Sequence, residues 1–153
     1  MVKQQKIVAI VQARMGSTRL PNKVMKPING TPMIALLFSR LSRSKEIDQI
    51  VLATSTDPRN QPLLVHVKSL GYACGQGSED NVLHRFVEVA QEYNADIVVR
   101  ITGDCPLVDP DLVDDCIRQF RELKVEYLSN ISPPSFPDGL DVEVVALSAL
   151  ERA

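Results

Sequence analysis

A polar segment with three cations follows the first apolar run of this 153-residue chain. The run, residues 7–11, is rich in β-branched side chains and predicts a strand that is covered on both faces. Residues 12–23 combine glycine, serine and threonine with the cations Arg14, Arg19 and Lys23. Backbone N–H groups in such a turn bind phosphate oxygens, while arginine adds a bidentate fork and lysine a mobile charge. We therefore predict a phosphate-binding loop; the alternative is a surface turn with solvated cations.

A carboxylate follows another apolar run. Residues 97–101 predict a second buried strand, and Asp104 comes directly after Gly103. A carboxylate oxygen suits Mg²⁺, which takes one or two carboxylates besides phosphate oxygens and waters. Asp104 is therefore the predicted metal ligand. The alternative is an aspartate that caps a turn or a helix, although Asp109 is the better capping candidate.

Two further polar segments contain side chains that are suited to ligand recognition. Residues 75–86 offer donors and acceptors that could read the edge of a nucleobase, and residues 138–143 offer carboxylates that could face the hydroxyl groups of an acceptor. The alternatives are a polar loop in which Ser78 or Asp80 caps a helix, and a turn followed by an alternating strand. The candidates are Ser78, Asp80, Asn81 and Arg85 in the first segment and Asp138, Asp141 and Glu143 in the second.

Alternating periodicities place these segments in an α/β fold. We expect three α/β/α layers around a mainly parallel, Rossmann-like sheet, with Thr31 as N-cap and Pro32 as first residue of the first helix. Because ligands bind beyond the carboxyl ends of parallel strands, residues 12–23, 54–58 and 102–106 should converge on one cleft. The predicted strands are 7–11, 50–53, 72–74, 97–101 and 140–147, and the predicted helices are 33–41, 60–70, 82–90, 109–123 and 148 onward.

The overall composition excludes several classes of function. A net charge of −2 gives no general attraction to nucleic acids or acidic membranes, so the important cations must act locally. No apolar stretch is long enough to span a bilayer. Cys74, Cys105 and Cys116 lack the spacing of a metal site, so we expect free thiols in a reducing cytoplasm. Neither GxxxxGK[ST] nor GxGxxG occurs, which argues against a Walker-type site and against a dinucleotide-dependent oxidoreductase.

The loop after the first strand also resembles a family signature. Its sequence, QARMGSTRLPNKVMKPINGTPMI, is similar to the opening signature of the sugar-activating cytidylyltransferases, which include the CMP-Kdo and acylneuraminate synthetases. The segment GQGSEDNVLHRF resembles SpsF-type proteins of spore coat polysaccharide biosynthesis, and GDCPL matches the family's metal-binding motif. The resemblance covers essentially the whole chain.

This resemblance implies a role for each matching residue. The loop contacts the phosphates of CTP, Thr102 and residues 75–86 contact the cytosine, and Asp104 binds Mg²⁺. Residues 138–143 border the sugar. The expected catalytic residues are Arg19, Lys23 and Asp104; the expected nucleotide-binding residues are Ala13, Arg14, Gly16, Ser17, Ser78, Asp80, Arg85 and Thr102; and the expected acceptor-binding residues are Asp138, Asp141 and Glu143.

The implied function is CTP-dependent transfer of CMP to a sugar or sugar acid, with release of pyrophosphate, for surface polysaccharide biosynthesis. The implied location is the cytoplasm, without nucleic-acid or membrane partners and with a homodimer as a further expectation. Family members are longer, and the late acidic segment that usually supplies their second metal carboxylate has no match here. We therefore expect one nucleotidyltransferase domain, residues 1–153, that lacks the family's C-terminal part. The alternative hypothesis is an inactive module that binds a nucleotide or a partner.

Overall fold

The computed structural model describes residues 3–153 and centres on a mostly parallel sheet. The strands are, in chain order, β1 (Ile7–Gln12), β2 (Pro27–Ile28), β3 (Thr31–Pro32), β4 (Gln49–Ser55), β5 (Ala73–Gly77), β6 (Ile97–Thr102), β7 (Tyr127–Ser129) and β8 (Glu143–Ala146). The central sheet has the order β5-β4-β1-β6-β8-β7. β8 pairs antiparallel with β6 and β7, and the other pairs are parallel. The mainly parallel sheet that the sequence predicts is confirmed.

Helices cover both faces of this sheet. They are α1 (Met33–Leu41), α2 (Gln61–Ser69), α3 (Val82–Glu92), α4 (Pro110–Leu123) and α5 (Leu147–Arg152). α1, α2 and α4 pack on one face through side chains such as Phe38, Leu63 and Ile117, whereas α3 and α5 cover the other through Phe86 and Leu150. The predicted three-layer arrangement is therefore confirmed. Within residues 3–153, none of the helices combines the length and apolar character needed to cross a membrane.

Strand β1 is held in place by apolar packing on both of its faces. All side chains of residues 7–11 are fully buried. Those of Ile7 and Val11 contribute to one apolar cluster, and those of Val8 and Ile10 to the other. A shift of β1 by one residue would bring the amide of Gln12 to the buried position of Val11, and burying an unpaired amide is unfavourable. The sequence pattern therefore specifies where this strand ends.

The start of the first helix differs from its prediction. Thr31 is not an N-cap, because it pairs with Ile28 in the β2–β3 hairpin, and Pro32 precedes α1 without a side-chain cap. The turn residues Asn29 and Gly30 have φ angles of 49° and 81°. Two successive positive φ angles are typical of a type I′ hairpin turn, for which Asn-Gly is the characteristic dipeptide. The prediction of a helix cap overlooked this signal.

Strand β5 also differs, because it includes glycines that the sequence analysis assigns to a loop. A Cβ atom on Gly75 would lie 2.7 Å from Val89 Cγ2, and one on Gly77 would lie 3.0 Å from Arg85 Cα. Both glycines therefore allow α3 to pack closely on the strand. In the sequence, glycines with this role look the same as glycines that mark a turn.

The C-terminal side of the sheet contains one more strand than predicted. β7 has three residues, too few to show an alternating pattern. β8 is shorter than the predicted strand 140–147, because the side chain of Asn130 replaces part of the ladder. Asn130 Oδ1 accepts from Val142 N (2.8 Å), and Nδ2 donates to Leu140 O (2.9 Å).

A buried carboxylate joins α4 to the turn after α1. Asp114 is 3% exposed and accepts hydrogen bonds from Ser44 Oγ and from the backbone N–H groups of Lys45 (3.0 Å) and Glu46 (3.2 Å). Three donors therefore satisfy a charge that would be unfavourable in this position without them.

We predict that Asp114→Ala lowers the free energy of unfolding by about 2–3 kcal/mol, because it leaves buried donors without an acceptor. Asp115→Ala is the matched control: this side chain is exposed and pairs with Arg118 on the same helix, so its loss should stay below about 0.5 kcal/mol. Urea unfolding followed by circular dichroism measures both changes. Equal losses in the two variants would contradict the role of Asp114.

Candidate active site

The loop after β1 is anchored by a buried asparagine. Asn60, 2% exposed, accepts a hydrogen bond from Met15 N through Oδ1 (2.8 Å) and donates through Nδ2 to Ser55 Oγ (2.7 Å) at the end of β4. Within the loop, Ser17 N donates to Met15 O (2.9 Å). These bonds hold the first turn of the loop at the carboxyl edge of the sheet.

The end of β6 approaches the end of β1 too closely for a side chain at position 103. Gly103 N donates to Gln12 O (2.7 Å). A Cβ atom on Gly103 would lie 2.6 Å from that same oxygen and 2.7 Å from Ala13 Cβ. Because position 103 is a glycine, the end of β6 can approach β1 this closely. The approach brings Asp104 next to the first residues of the loop.

The loop and the end of β6 enclose a cleft of about 600 Å³. The predicted site residues that line it are Ala13, Arg14, Ser17, Arg19, Lys23, Thr102 and Asp104. The structure thus brings together the ends of β1 and β6, as expected. The third segment, residues 54–58, does not line the cleft; Ser55 supports the loop through Asn60 instead.

Opposite charges face each other across this cleft. Lys23 Nζ lies 3.7 Å from Asp104 Oδ2, and both side chains are about half exposed. Arg14 Nη1 lies 3.7 Å from Glu79 Oε1 at the cleft's edge. Exposed pairs of this kind contribute at most about 1 kcal/mol. Both cations can therefore exchange their carboxylate partners for an anionic ligand at little cost.

A second pocket, of about 350 Å³, adjoins the cleft. Thr102 and Asp104 line both spaces, and Asp138 and Asp141 line the second one. The structure therefore brings together two of the three carboxylates that we expected to face an acceptor, and it places Asp104 between them and the cationic loop.

Glu143 is separated from Asp138 and Asp141. It lies opposite Arg100 in the antiparallel register of β6 and β8, and its Oε2 accepts from Arg100 Nη1 (3.0 Å). Arg100 in turn lies over the ring of Phe86, with 5.5 Å between the guanidinium carbon and the ring centroid. Because its carboxylate neutralises Arg100 on the α3 face of the sheet, Glu143 does not share the pocket of the other two residues.

The polar residues at 78–85 build the start of α3. Asn81 caps the helix by accepting from His84 N (2.9 Å), so neither Ser78 nor Asp80 is the N-cap. Arg85 is buried and donates through Nη1 to the backbone oxygen of Ser78 (2.9 Å), and burial lowers the pKa of its guanidinium. Contact of this segment with a base stays a prediction. The predicted nucleotide-binding residues outside the lining of both pockets are Gly16, Ser78, Asp80 and Arg85.

Cys105 lies beside the site but lacks the properties of a nucleophile. Burial raises the pKa of its thiol, and Sγ lies 3.0 Å from Thr102 Oγ1. Because the thiolate is the reactive form, a buried and protonated Cys105 acts as a packed residue. All three cysteines of the chain are unpaired, which confirms the prediction of free thiols.

The chain matches a family of known proteins. Residues 8–150 match the family model described as cytidylyltransferase. The chain belongs to the cytidylyltransferase family. Members of this family are nucleotidyltransferases.

Individual relatives agree with this family. The chain is 37% identical over 132 residues to the spore coat polysaccharide biosynthesis protein SpsF of Bacillus subtilis, which covers 84% of this chain and 55% of the relative. It is 34% identical over 114 residues to a 3-deoxy-manno-octulosonate cytidylyltransferase of Pelobacter propionicus. This match covers 73% of this chain and 43% of the relative. A solved cytidylyltransferase structure from Leptospira borgpetersenii has a TM-score of 0.93 and 34% identity, over 97% of this chain and 63% of that one. The chain therefore spans about half the length of these curated relatives.

The carboxylates of this site suit a metal ion that takes most of its ligands from phosphate groups and water. Among residues 3–153, no three His, Cys, Asp or Glu side chains are close enough to hold a metal by themselves. Asp104 nevertheless presents an exposed carboxylate where the two pockets meet. Mg²⁺ usually takes one or two carboxylates and obtains its other ligands from phosphates and waters, whereas structural Zn²⁺ needs four protein ligands. Asp104 therefore fits the role of one protein ligand to Mg²⁺.

Three residues that shape this site were not among the predicted site residues. Gln12 and Arg100 line the cleft, and Asn60 supports the loop. Gln12 carries a signal that could have identified it, because it is the first polar residue after a buried strand. Arg100 is likewise the one charge in an apolar run. Asn60 has no such signal, since its partner in the loop, Met15, is 45 residues away in the chain.

We predict that Asn60→Ala weakens the binding of Mg²⁺–CTP by about tenfold, because Met15 loses its buried acceptor and the loop its anchor. Gln61→Ala, an exposed position next to it, is the control and should leave binding unchanged. Isothermal titration calorimetry on folded protein, checked by thermal unfolding, measures the effect. Unchanged affinity in a folded Asn60→Ala variant would show that the loop holds its shape without this anchor.

Proposed function

We propose that this chain binds CTP and transfers a cytidylyl group to a hydroxyl of a sugar or sugar acid. One observation carries the proposal: the cationic loop and Asp104 face each other across one cleft, and an acidic pocket opens from the same aspartate. The cleft has cations for a triphosphate, and the pocket has carboxylates for hydroxyl groups. Family membership supports cytidine as the nucleoside.

The loop cations are proposed to hold the triphosphate. Arg19 offers a bidentate fork, and Lys23 exchanges its weak pairing with Asp104 for a phosphate oxygen. When pyrophosphate leaves, the negative charge that develops on its oxygens lies next to these cations. Their contribution is electrostatic stabilisation by groups that are already in place.

Asp104 is proposed to hold Mg²⁺ together with the phosphates. The ion would supply charge neutralisation at the phosphate oxygens and would help orient the leaving group. Without a cation, the Asp104 carboxylate and a triphosphate would repel each other across the cleft. The half-exposed position of Asp104 allows it to turn from Lys23 toward such an ion.

The second pocket is proposed to bind the acceptor. Hydroxyl groups donate to Asp138 and Asp141, which leaves one acceptor oxygen near Thr102 and Asp104, where the two spaces meet. That oxygen attacks the α-phosphorus in line with the bond to pyrophosphate. The new O–P bond forms, pyrophosphate departs, and the hydroxyl proton passes to solvent. The protein supplies no nucleophile, so catalysis consists of positioning and electrostatics.

The names of two relatives support a sugar-type acceptor. One is named for spore coat polysaccharide biosynthesis and the other for a cytidylyltransferase of an octulosonate, which is a sugar acid. We therefore extend the proposal to activation of a sugar for a surface polysaccharide, in a reducing cytoplasm that keeps the three cysteines free.

We predict that CTP binds more tightly than UTP, ATP or GTP in the presence of Mg²⁺. Calorimetry with the four nucleotides measures this preference, and inorganic tripolyphosphate serves as the base-free control. Release of pyrophosphate upon addition of a sugar acid then separates turnover from binding alone. Equal affinity for all four nucleotides would leave a phosphate site and would contradict the cytidylyl assignment.

We predict that Asp104→Asn folds normally but loses the tightening of CTP binding by Mg²⁺, by about tenfold. The variant keeps the shape of the side chain and removes its charge. Its affinity for CTP in EDTA should be unchanged or higher, because one negative charge has been removed from the cleft. Asp115→Asn, at an exposed position on α4, is the control. If Mg²⁺ tightens CTP binding equally in wild type and Asp104→Asn, Asp104 is not the metal ligand.

A further inference from the structure

The second pocket receives two of its carboxylates from a surface loop. Residues 130–142 connect β7 to β8, and Asp138 and Asp141 of this loop line the pocket of about 350 Å³. The middle of the loop, from Ser132 to Asp138, is exposed. Because an exposed loop does not hold its own side chains in place, the carboxylates of the pocket need support from a residue that is itself fixed.

Asn130 provides this support at the base of the loop. The residue is 9% exposed, and both ends of its side-chain amide are hydrogen bonded. Oδ1 accepts from Val142 N (2.8 Å), and Nδ2 donates to Leu140 O (2.9 Å). The backbone of Asn130 takes part as well, because its N–H donates to Val142 O (3.3 Å) and its oxygen accepts from Ser135 N (3.2 Å). One buried residue therefore ties the start of the loop to its middle and its end.

The two side-chain hydrogen bonds of Asn130 lie on either side of Asp141. Leu140 O belongs to the peptide group before the Cα atom of Asp141, and Val142 N belongs to the peptide group after it. Because each peptide group is planar, holding both of them fixes the backbone at Asp141 and with it the direction of the Cα–Cβ bond. The amide of Asn130 thus determines where the Asp141 carboxylate enters the pocket, although Asn130 itself lines neither the pocket nor the cleft.

We propose that Asn130 is a positioning residue that fixes the Asp141 carboxylate for contact with a hydroxyl group of the acceptor. The inference rests on the proposed function and adds to it a residue outside both pockets. Asp141 accepts from the acceptor both before and during the reaction, so its displacement weakens acceptor binding and leaves the rate of the bound complex nearly unchanged. The nucleotide lies in the first cleft, whose lining includes no residue of the loop 130–142, so its affinity does not depend on Asn130.

The test uses Asn130→Asp, which keeps the size of the side chain and the acceptor for Val142 N. It replaces the donor to Leu140 O by a second oxygen, which repels that carbonyl and releases the peptide group before Asp141. Pyrophosphate release is measured with 3-deoxy-manno-octulosonate, the sugar acid in the name of one relative, as the probe acceptor. We expect the acceptor KM to rise about tenfold, while kcat and the Kd of CTP change by less than about twofold. Ser132→Ala, at an exposed position of the same loop, is the control.

A double variant separates positioning from a general loss of stability. Asp141→Asn alone should also raise the acceptor KM. If Asn130 acts through Asp141, adding Asn130→Asp to Asp141→Asn should raise the KM by less than about twofold further, because coupled residues are not additive. Amide hydrogen exchange gives a readout that needs no turnover. In Asn130→Ala, the N–H of Val142 should exchange about tenfold faster relative to that of Val98 in the centre of the sheet.

Several results would overturn the inference. One is an unchanged acceptor KM in an Asn130→Asp variant that thermal unfolding shows to be folded. Another is a parallel loss of CTP affinity, which would mean that Asn130 supports the whole site, and a third is a further tenfold rise of the KM in the double variant. Wild-type protein that binds CTP but releases no pyrophosphate would contradict the proposed function instead. In that case, an unchanged exchange ratio of Val142 to Val98 in Asn130→Ala would still overturn the role of Asn130.

Discussion

The close approach of β6 to β1 is the constraint on which the candidate site depends. Gly103 N donates to Gln12 O at 2.7 Å, and the same contact leaves no room for a Cβ atom. The side chains of Arg14, Lys23 and Asp104 are about half exposed, so they do not define its dimensions. The backbone frame does so, through the parallel register of β1 and β6 and the buried Asn60 that joins the loop to β4. The distance between the cationic loop and the carboxylate is thus a property of the sheet.

The charges of the molecule act locally. A net charge of −2 creates no strong overall field, yet Lys23 and Asp104 oppose each other at 3.7 Å, and further carboxylates line the adjoining pocket. This division gives each space its own chemistry: cations on one side suit an anion, and carboxylates on the other suit a molecule rich in hydroxyl groups. Thr102 and Asp104 line both spaces and mark the point where two different ligands would meet.

The sequence predicted the parts of this fold that depend on local patterns. Apolar runs located β1 and β6, and the residues that follow them, such as Lys23 and Asp104, do converge. Predictions failed where distant contacts decide. Gly75 and Gly77 belong to a strand because α3 packs closely on them, and Glu143 turns away from Asp141 because it lies opposite Arg100. The incorrect prediction of Thr31 as a helix cap has another cause. The Asn-Gly dipeptide that precedes Thr31 is visible in the sequence and indicates a hairpin turn.

The strand order also determines when this site can exist during synthesis. Ile10 of β1 pairs with Val51 and with Arg100, so the central strand is made first and receives its second neighbour much later. At about 5–20 residues per second, the wait between β1 and β6 is on the order of 5–20 s. Throughout that interval at least one edge of β1 is unpaired, and the cationic loop has no opposing wall. Closing long-range parallel pairs is intrinsically slow. The cleft therefore cannot form before β6 has been made, because the residues at the end of β6 are its second wall.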